Sequence, residues 1–169
     1  MLDEPMSKHT SFRIGGPAEL YIAARDTAEL CRWMGIIRQH EIPYFLLGNG
    51  TNILVSDEGI QGLVIKNECQ EIELSEDDDT VVYAEAGASL ARLAAEASQA
   101  GLSGLEWAIG VPGTIGGAIV TNAGAFGSCI ADILLEVSVL DYDGVVRTFQ
   151  GGDLGFGYRS SRFHDQKPG

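Results

Sequence analysis

Two stretches of the chain repeat apolar residues with a helical period. Leu30, Trp33, Met34 and Ile37 fall at i, i+3, i+4 and i+7, which places them on one helix face. Asp26 is positioned to cap this helix, with Glu29 three residues on as in a capping box, and Pro43 stands beyond its end. Leu90, Leu93, Ala94 and Ala97 repeat the spacing behind a second cap, Ser89, and Gly101 is placed at C′. Both stripes read as faces that pack a core. Apolar runs rich in β-branched and aromatic residues predict strands over 20–23, 44–47, 53–55, 63–66, 81–86, 134–141 and 145–149. The last two flank Tyr142-Asp143-Gly144, whose Asp-Gly pair favours a hairpin.

The acidic run Glu76-Asp77-Asp78-Asp79 separates apolar residues 72–74 from 81–83. It lacks the alternating ligands and the placed glycine of a calcium loop, so it predicts a solvated hairpin turn. Helices and strands intermix without regular βαβ alternation. The fold class is therefore α+β, with two lobes meeting near residue 75: residues 1–75 and 76–169.

Apolar residues make up 45% of the chain, enough for a packed core. The net charge is −13, from 11 basic and 24 acidic residues, which argues against nucleic acid or an anionic membrane surface as a partner. A small anionic ligand remains compatible, because backbone amides bind phosphate whatever the global charge. No apolar run reaches the length of a membrane span, and the acidic start Met1-Leu2-Asp3-Glu4-Pro5 lacks the order of a signal peptide. Cys31, Cys69 and Cys129 are widely spaced and odd in number, which fits buried thiols in a reducing cytoplasm. No Cys–His spacing suits zinc, and no metal site is expected. The expected state is a monomer or weak oligomer. The final Lys167-Pro168-Gly169 reads as a turn leading into a further element, so the sequence is expected to be a fragment.

Two glycine-rich loops carry the candidate chemistry. The first is Leu47-Gly48-Asn49-Gly50-Thr51-Asn52-Ile53; the second is Gly110-Val111-Pro112-Gly113-Thr114-Ile115-Gly116-Gly117. Glycine permits positive φ and close approach of backbone to ligand, and successive free N–H groups form a concavity for anions. Two such loops suit a ligand with a pyrophosphate. Neither contains the lysine of a P-loop. Gly48 and Gly50 begin a G-x-G-x-x-G pattern, but Ile53 stands at its last position, and the segment that follows reads as strand rather than helix. Protein-kinase signatures are absent. By spacing alone, either loop could be a structural turn.

The segment Leu47-Gly48-Asn49-Gly50-Thr51-Asn52-Ile53-Leu54 resembles the L-G-x-G-[ST]-N-x-L motif of the UDP-N-acetylenolpyruvoylglucosamine reductase (MurB) family of peptidoglycan synthesis. Gly110 to Ala118, followed by Asn122-Ala123-Gly124-Ala125-Phe126-Gly127, resembles that family's G-[IV]-P-G-[TS]-[IV]-G-G-A…N-A-G-A-[YF]-G. Thr10-Ser11-Phe12-Arg13-Ile14-Gly15-Gly16-Pro17-Ala18 and Phe156-Gly157-Tyr158-Arg159-Ser160-Ser161-Arg162-Phe163 resemble two further family segments, and all four run in family order.

The resemblance implies a two-lobed FAD-binding domain of the vanillyl-alcohol-oxidase (PCMH-like) type, with the flavin between the lobes and the family's separate substrate domain missing here. It implies that Leu47, Gly48, Asn49, Gly50, Thr51, Asn52 and Ile53 line one side of a non-covalently bound FAD. Val111, Pro112, Gly113, Thr114, Gly116 and Gly117 would line the other, supported by Asn122, Ala123 and Gly124. Asn49 stands where many members carry glycine, a mild departure because Asn tolerates positive φ. NADPH would be the reductant and the enolpyruvyl group of a UDP-sugar the substrate. Arg159 would be the catalytic arginine that stabilises the developing enolate, with Tyr158 beside it at the substrate. The general acid would belong to the missing domain, and Ser160 and Ser161 would not replace it. The residues by themselves allow a plainer reading, in which Arg159 pairs with a surface acid such as Asp153 and Tyr158 packs the lobe. Two other functions stay open: a different flavin oxidase or dehydrogenase acting on a small alcohol or hydroxy acid, and a non-catalytic flavin-binding fragment.

Overall fold

The structure is a computed structural model that describes residues 1–164. The expected turn at Lys167-Pro168-Gly169 lies outside the described residues. The chain divides into two compact units, Met1–Gln70 and a second from Glu71 onward.

In the first unit, β1 (Leu2–Pro5), β2 (Pro17–Ala24), β3 (Tyr44–Leu47) and β4 (Ile60–Asn67) form a four-stranded sheet in the order β1-β2-β4-β3. β2 and β3 run parallel to β4 on either side of it, and β1 is antiparallel to β2. The helix α1 (Thr27–His40) joins β2 to β3. Its cap is the expected one: the Asp26 carboxylate accepts from the Glu29 N–H at 2.7 Å. The Glu29 carboxylate reaches back to the N–H of Arg25, one residue earlier than a capping box requires.

Alternation along β4 explains why both sheet faces are covered. Leu63 and Ile65 pack with Ala24 and Ile37, and Leu30, Trp33 and Met34 of α1 lie against them. Val64 points the other way, into a cluster with Met6, Ala18, Tyr21, Leu47 and Val55. The strand expected over 53–55 does not form. The connection from β3 to β4 is irregular, and Ile53 and Val55 pin it to the cluster on that second face.

Among its described residues the second unit holds three antiparallel pairs: β5 (Ile72–Leu74) with β6 (Val82–Ala84), β7 (Gly124–Ala125) with β8 (Ser128–Cys129), and β9 (Glu136–Leu140) with β10 (Val146–Gln150). The acidic run is the solvated turn of the first pair, where the Asp78 carboxylate accepts from the Thr80 N–H and hydroxyl. The helix α2 (Leu90–Gln99) is capped by Ser89 and buries Leu90, Leu93, Ala94 and Ala97, the expected stripe. Burial of Leu90 and Leu93 contributes about 1.5–3 kcal/mol each. A short helix, α3 (Ile115–Val120), starts inside the second glycine-rich segment. Ile115, Ala118 and Ile119 of α3 join Trp107, Ile130 and Leu154 in one core with Leu90, Leu93 and Ala94 of α2. No helix among the described residues is long and apolar enough to cross a membrane.

Candidate functional site

The first glycine loop leaves the carboxyl end of β3. Gly50 adopts φ +63°, and its carbonyl accepts from the Ser11 N–H at 2.9 Å. A Cβ there would stand 1.9 Å from the His9 carbonyl oxygen. Glycine at this position is thus required by the chain crossing beneath it as well as by any ligand. The backbone N–H groups of residues 49–52 donate to no other described residue. A bent run of unengaged amides is an arrangement that receives an anion. It sits at the carboxyl ends of parallel strands, where open α/β sheets bind their ligands. Leu47 and Ile53, at the ends of the expected site, pack into the core and anchor the loop.

The second loop spends most of its amides internally. Val111 donates to the Ala108 carbonyl, Ile115 to Ala88 and Gly116 to Ala86. Thr114 caps α3, its hydroxyl accepting from the Gly117 N–H. A Cβ on Gly116 would stand 3.0 Å from the Ala86 Cβ, so this glycine seats α3 on the backbone before α2. The amides of Gly110, Gly113 and Thr114 have no acceptor among the described residues. Gly113 holds φ +135°.

Asn122, Ala123 and Gly124 each have a structural role. The Asn122 side chain accepts from the Ala131 N–H at 3.1 Å and donates to the Gly157 carbonyl at 3.0 Å. Ala123 is buried, with its N–H donating to the Ala118 carbonyl. A Cβ on Gly124 would collide with the Ser128 carbonyl oxygen across the β7–β8 pair.

Tyr158 and Arg159 form the tip of a tight turn closed by Gly157 N–H to Ser160 O at 3.0 Å and Ser160 N–H to Gly157 O at 3.3 Å. Arg159 has φ +55°, and its side chain has no ion pair among the described residues. The expected alternative, a pair with Asp153, is absent; it is Arg162 that reaches the Asp153 carbonyl. Tyr158 does not pack the lobe, being 96% exposed. The turn is anchored beneath this tip. The Ser161 hydroxyl donates to the Val120 carbonyl at 2.8 Å, and the Arg162 guanidinium lies over the Phe149 ring. Ser161 is thereby occupied structurally.

A family model described as an FAD binding domain matches residues 18–150. The chain belongs to the FAD-binding domain family. It is similar to the UDP-N-acetylenolpyruvoylglucosamine reductase of Agathobacter rectalis, 45% identical over 170 residues, which cover 94% of this chain and 54% of that relative. The crystal structure of the MurB reductase from Thermus caldophilus superposes with a TM-score of 0.75 at 40% identity, covering 93% of this chain and 55% of the other. The reductase resemblance drawn from four short motifs therefore holds along nearly the whole chain. A solvent-stable cholesterol oxidase, 16% identical, shares the fold with a TM-score of 0.65 over 89% of this chain and 32% of its own. The chain spans about half the length of the curated relatives it matches.

The residues of this FAD-binding domain fit the cofactor's chemistry. The first loop offers unengaged amide donors and contains no charged side chain to repel a pyrophosphate. Motif reading did not assign the residues beside this loop, Lys8, His9, Thr10 and Ser11. Their signal was present in the opening motif around Thr10 and Ser11, which carried resemblance but no role.

Proposed function

We propose that this chain is the flavin-binding portion of an FAD-dependent reductase of peptidoglycan precursor synthesis. The full enzyme would reduce the enolpyruvyl group of a UDP-N-acetylglucosamine enolpyruvate in the cytoplasm, with NADPH as reductant. The observation that carries the reading is the run of unengaged amides at residues 49–52 on a chain of the FAD-binding domain family.

Gly48, Asn49, Gly50, Thr51 and Asn52 would hold the pyrophosphate through backbone N–H groups. Pro112, Gly113, Thr114, Gly116 and Gly117 would also contribute to flavin binding, with the Gly113 and Thr114 amides having no acceptor among the described residues. FAD, non-covalently bound, supplies the hydride chemistry. Arg159 would neutralise the substrate carboxylate and the charge that develops on it, a role suited to a fixed, always-charged guanidinium. Its left-handed backbone and its lack of an ion pair among the described residues support this role, because strain retained at an exposed residue points to function. Tyr158 would contact the substrate beside it. The proton donor is assigned to no residue of this chain.

The test is a visible spectrum of the purified chain after incubation with FAD and desalting, followed by anaerobic NADPH. The expected result is a retained flavin spectrum that bleaches with NADPH. A folded, colourless chain would overturn the flavin assignment; a flavin that ignores NADPH would overturn the choice of reductant.

A further inference from the structure

A depression of about 210 Å³ opens beside the first glycine loop, walled by Lys8, His9, Thr10, Ser11, Asn49 and Lys66. It lies wholly within the first unit, at the carboxyl ends of β3 and β4. Lys66 pairs in register with Leu47, the last residue of β3, and Asn49 follows two residues later. In a chain of net charge −13, this wall has two lysines and no acid.

Several polar groups of the wall are already engaged. The Thr10 hydroxyl donates to the Ile14 carbonyl at 3.0 Å. The His9 ring lies between the Glu4 carboxylate at 3.0 Å and the Tyr21 hydroxyl at 3.1 Å, and stacks on the Tyr21 ring. Those groups are occupied. What remains is the Lys8 and Lys66 ammonium groups, the Ser11 hydroxyl, the Asn49 side chain and the unengaged loop amides. Lys8 is held only loosely, 3.4 Å from Glu4 with its side chain 63% exposed. Lys66 sits 2.7 Å from Glu68 at partial exposure. The exposed Lys8 pair contributes little, and the Lys66 pair is partly open to solvent, so both lysines can exchange a carboxylate for a stronger acceptor. Charge-assisted bonds to phosphate are such an acceptor.

We propose that this depression is a phosphate-binding subsite in which Lys8 and Lys66 neutralise a diphosphate held by the loop amides. The inference rests on the reading of the first loop as a pyrophosphate site and adds two residues to it. Amide dipoles position an anion but cancel little of its charge, and a diphosphate carries charge on both phosphorus centres. Two flexible ammonium groups lining the depression supply that neutralisation. The diphosphate belongs either to the bound dinucleotide or to a separate nucleotide.

The experiment is a 1H–15N titration of the full chain with inorganic pyrophosphate, with and without FAD. The expected result is a shift of the Asn49, Gly50, Thr51 and Ser11 amide resonances. Lys8→Gln/Lys66→Gln weakens binding by about tenfold or more, the loss of one or two charge-assisted bonds. Lys8→Arg/Lys66→Arg keeps it, and Arg38→Gln on the exposed side of α1 changes nothing. Circular dichroism of each variant confirms that the fold is unchanged. If FAD blocks pyrophosphate, the dinucleotide is the source; if the FAD-loaded chain still takes pyrophosphate with the same lysine dependence, a separate nucleotide is. Pyrophosphate and FAD binding that is equally tight in Lys8→Gln/Lys66→Gln overturns the subsite and leaves the flavin reading intact. Lysine-dependent pyrophosphate binding by a chain that retains no FAD keeps the subsite and overturns the flavin reading.

Discussion

The carbonyl oxygen of His9 occupies the space that a side chain on Gly50 would need. An ideal Cβ on Gly50 would stand 1.9 Å from it, with the backbone already at φ +63°. The segment carrying His9 thus forms the floor on which the first glycine loop rests, and the Ser11-to-Gly50 hydrogen bond closes the contact. A substitution at Gly50 strains the floor before it touches a ligand.

Gly50→Val is accordingly expected to destabilise the fold by about 3 kcal/mol or more, from positive-φ strain plus a backbone collision. Urea denaturation measures it. Because loss of flavin from this variant would follow from unfolding, cofactor binding is better tested at the loop's exposed Asn49. Stability equal to the parent would show that the loop can move off its floor.

Arg159→Gly should stabilise the chain. Glycine accepts φ +55° without Cβ strain, and the arginine side chain has no partner to lose among the described residues. A gain of about 0.5–1 kcal/mol in thermal unfolding is expected, with flavin retention unchanged. A loss of stability would mean that the guanidinium is a structural group after all.

Asn122→Asp separates the two halves of the Asn122 clasp. The carboxylate still accepts from the Ala131 N–H, but the side-chain donation to the Gly157 carbonyl is lost, which leaves that carbonyl only the longer bond from the Ser160 N–H. The cost is about 1 kcal/mol, the net value of one hydrogen bond. Faster amide exchange at Gly157 and Ser160, with exchange in α2 unaltered, is the expected signature of a loosened Tyr158–Arg159 turn.

Burial pushes the Tyr21 phenol up to about 12, with the nearby Glu68 and Glu4 carboxylates adding to the shift. An unfolded phenol loses its proton near 10. The unfolded state therefore sheds this proton first as pH rises, so stability from Tyr21 is full below about pH 10 and declines toward pH 12. A phenolate absorbance titration should show one late phase near 12 that disappears in Tyr21→Phe. If no late phase is present, Tyr21 is not sealed as described.

Gly35 lies within α1 with open space where a Cβ would project. Gly35→Ala should stabilise by about 0.5–1 kcal/mol through reduced freedom of the unfolded chain and better helix propensity. The thermal midpoint checks it; no change would place α1 outside the cooperative unit.

The legible parts of the chain were those with local causes. Asp26, Ser89 and the two apolar stripes specify helices within a single turn's reach, and Asp143-Gly144 specifies its hairpin by φ preference alone. The strand expected at 53–55 failed because Ile53 and Val55 bury their side chains from an irregular connection, and apolar character alone does not distinguish that from ladder pairing. The helix α3 was hidden because Gly116 and Gly117 are poor helix formers; its Thr114 cap and its seat on Ala86 overrule that propensity.

By itself the sequence determined both capped helices, the α+β class, the two glycine loops and the resemblance to a family of FAD-binding proteins, since caps, periods and motifs are properties of neighbouring residues. Only the tertiary structure decided the insertion of β4 between β2 and β3, which asparagine is spent as a clasp, and, among the described residues, which amides remain unengaged and that Arg159 has no ion pair. Those outcomes depend on groups far apart in the chain competing for the same hydrogen bonds and the same space, and that competition is settled only when the chain is folded.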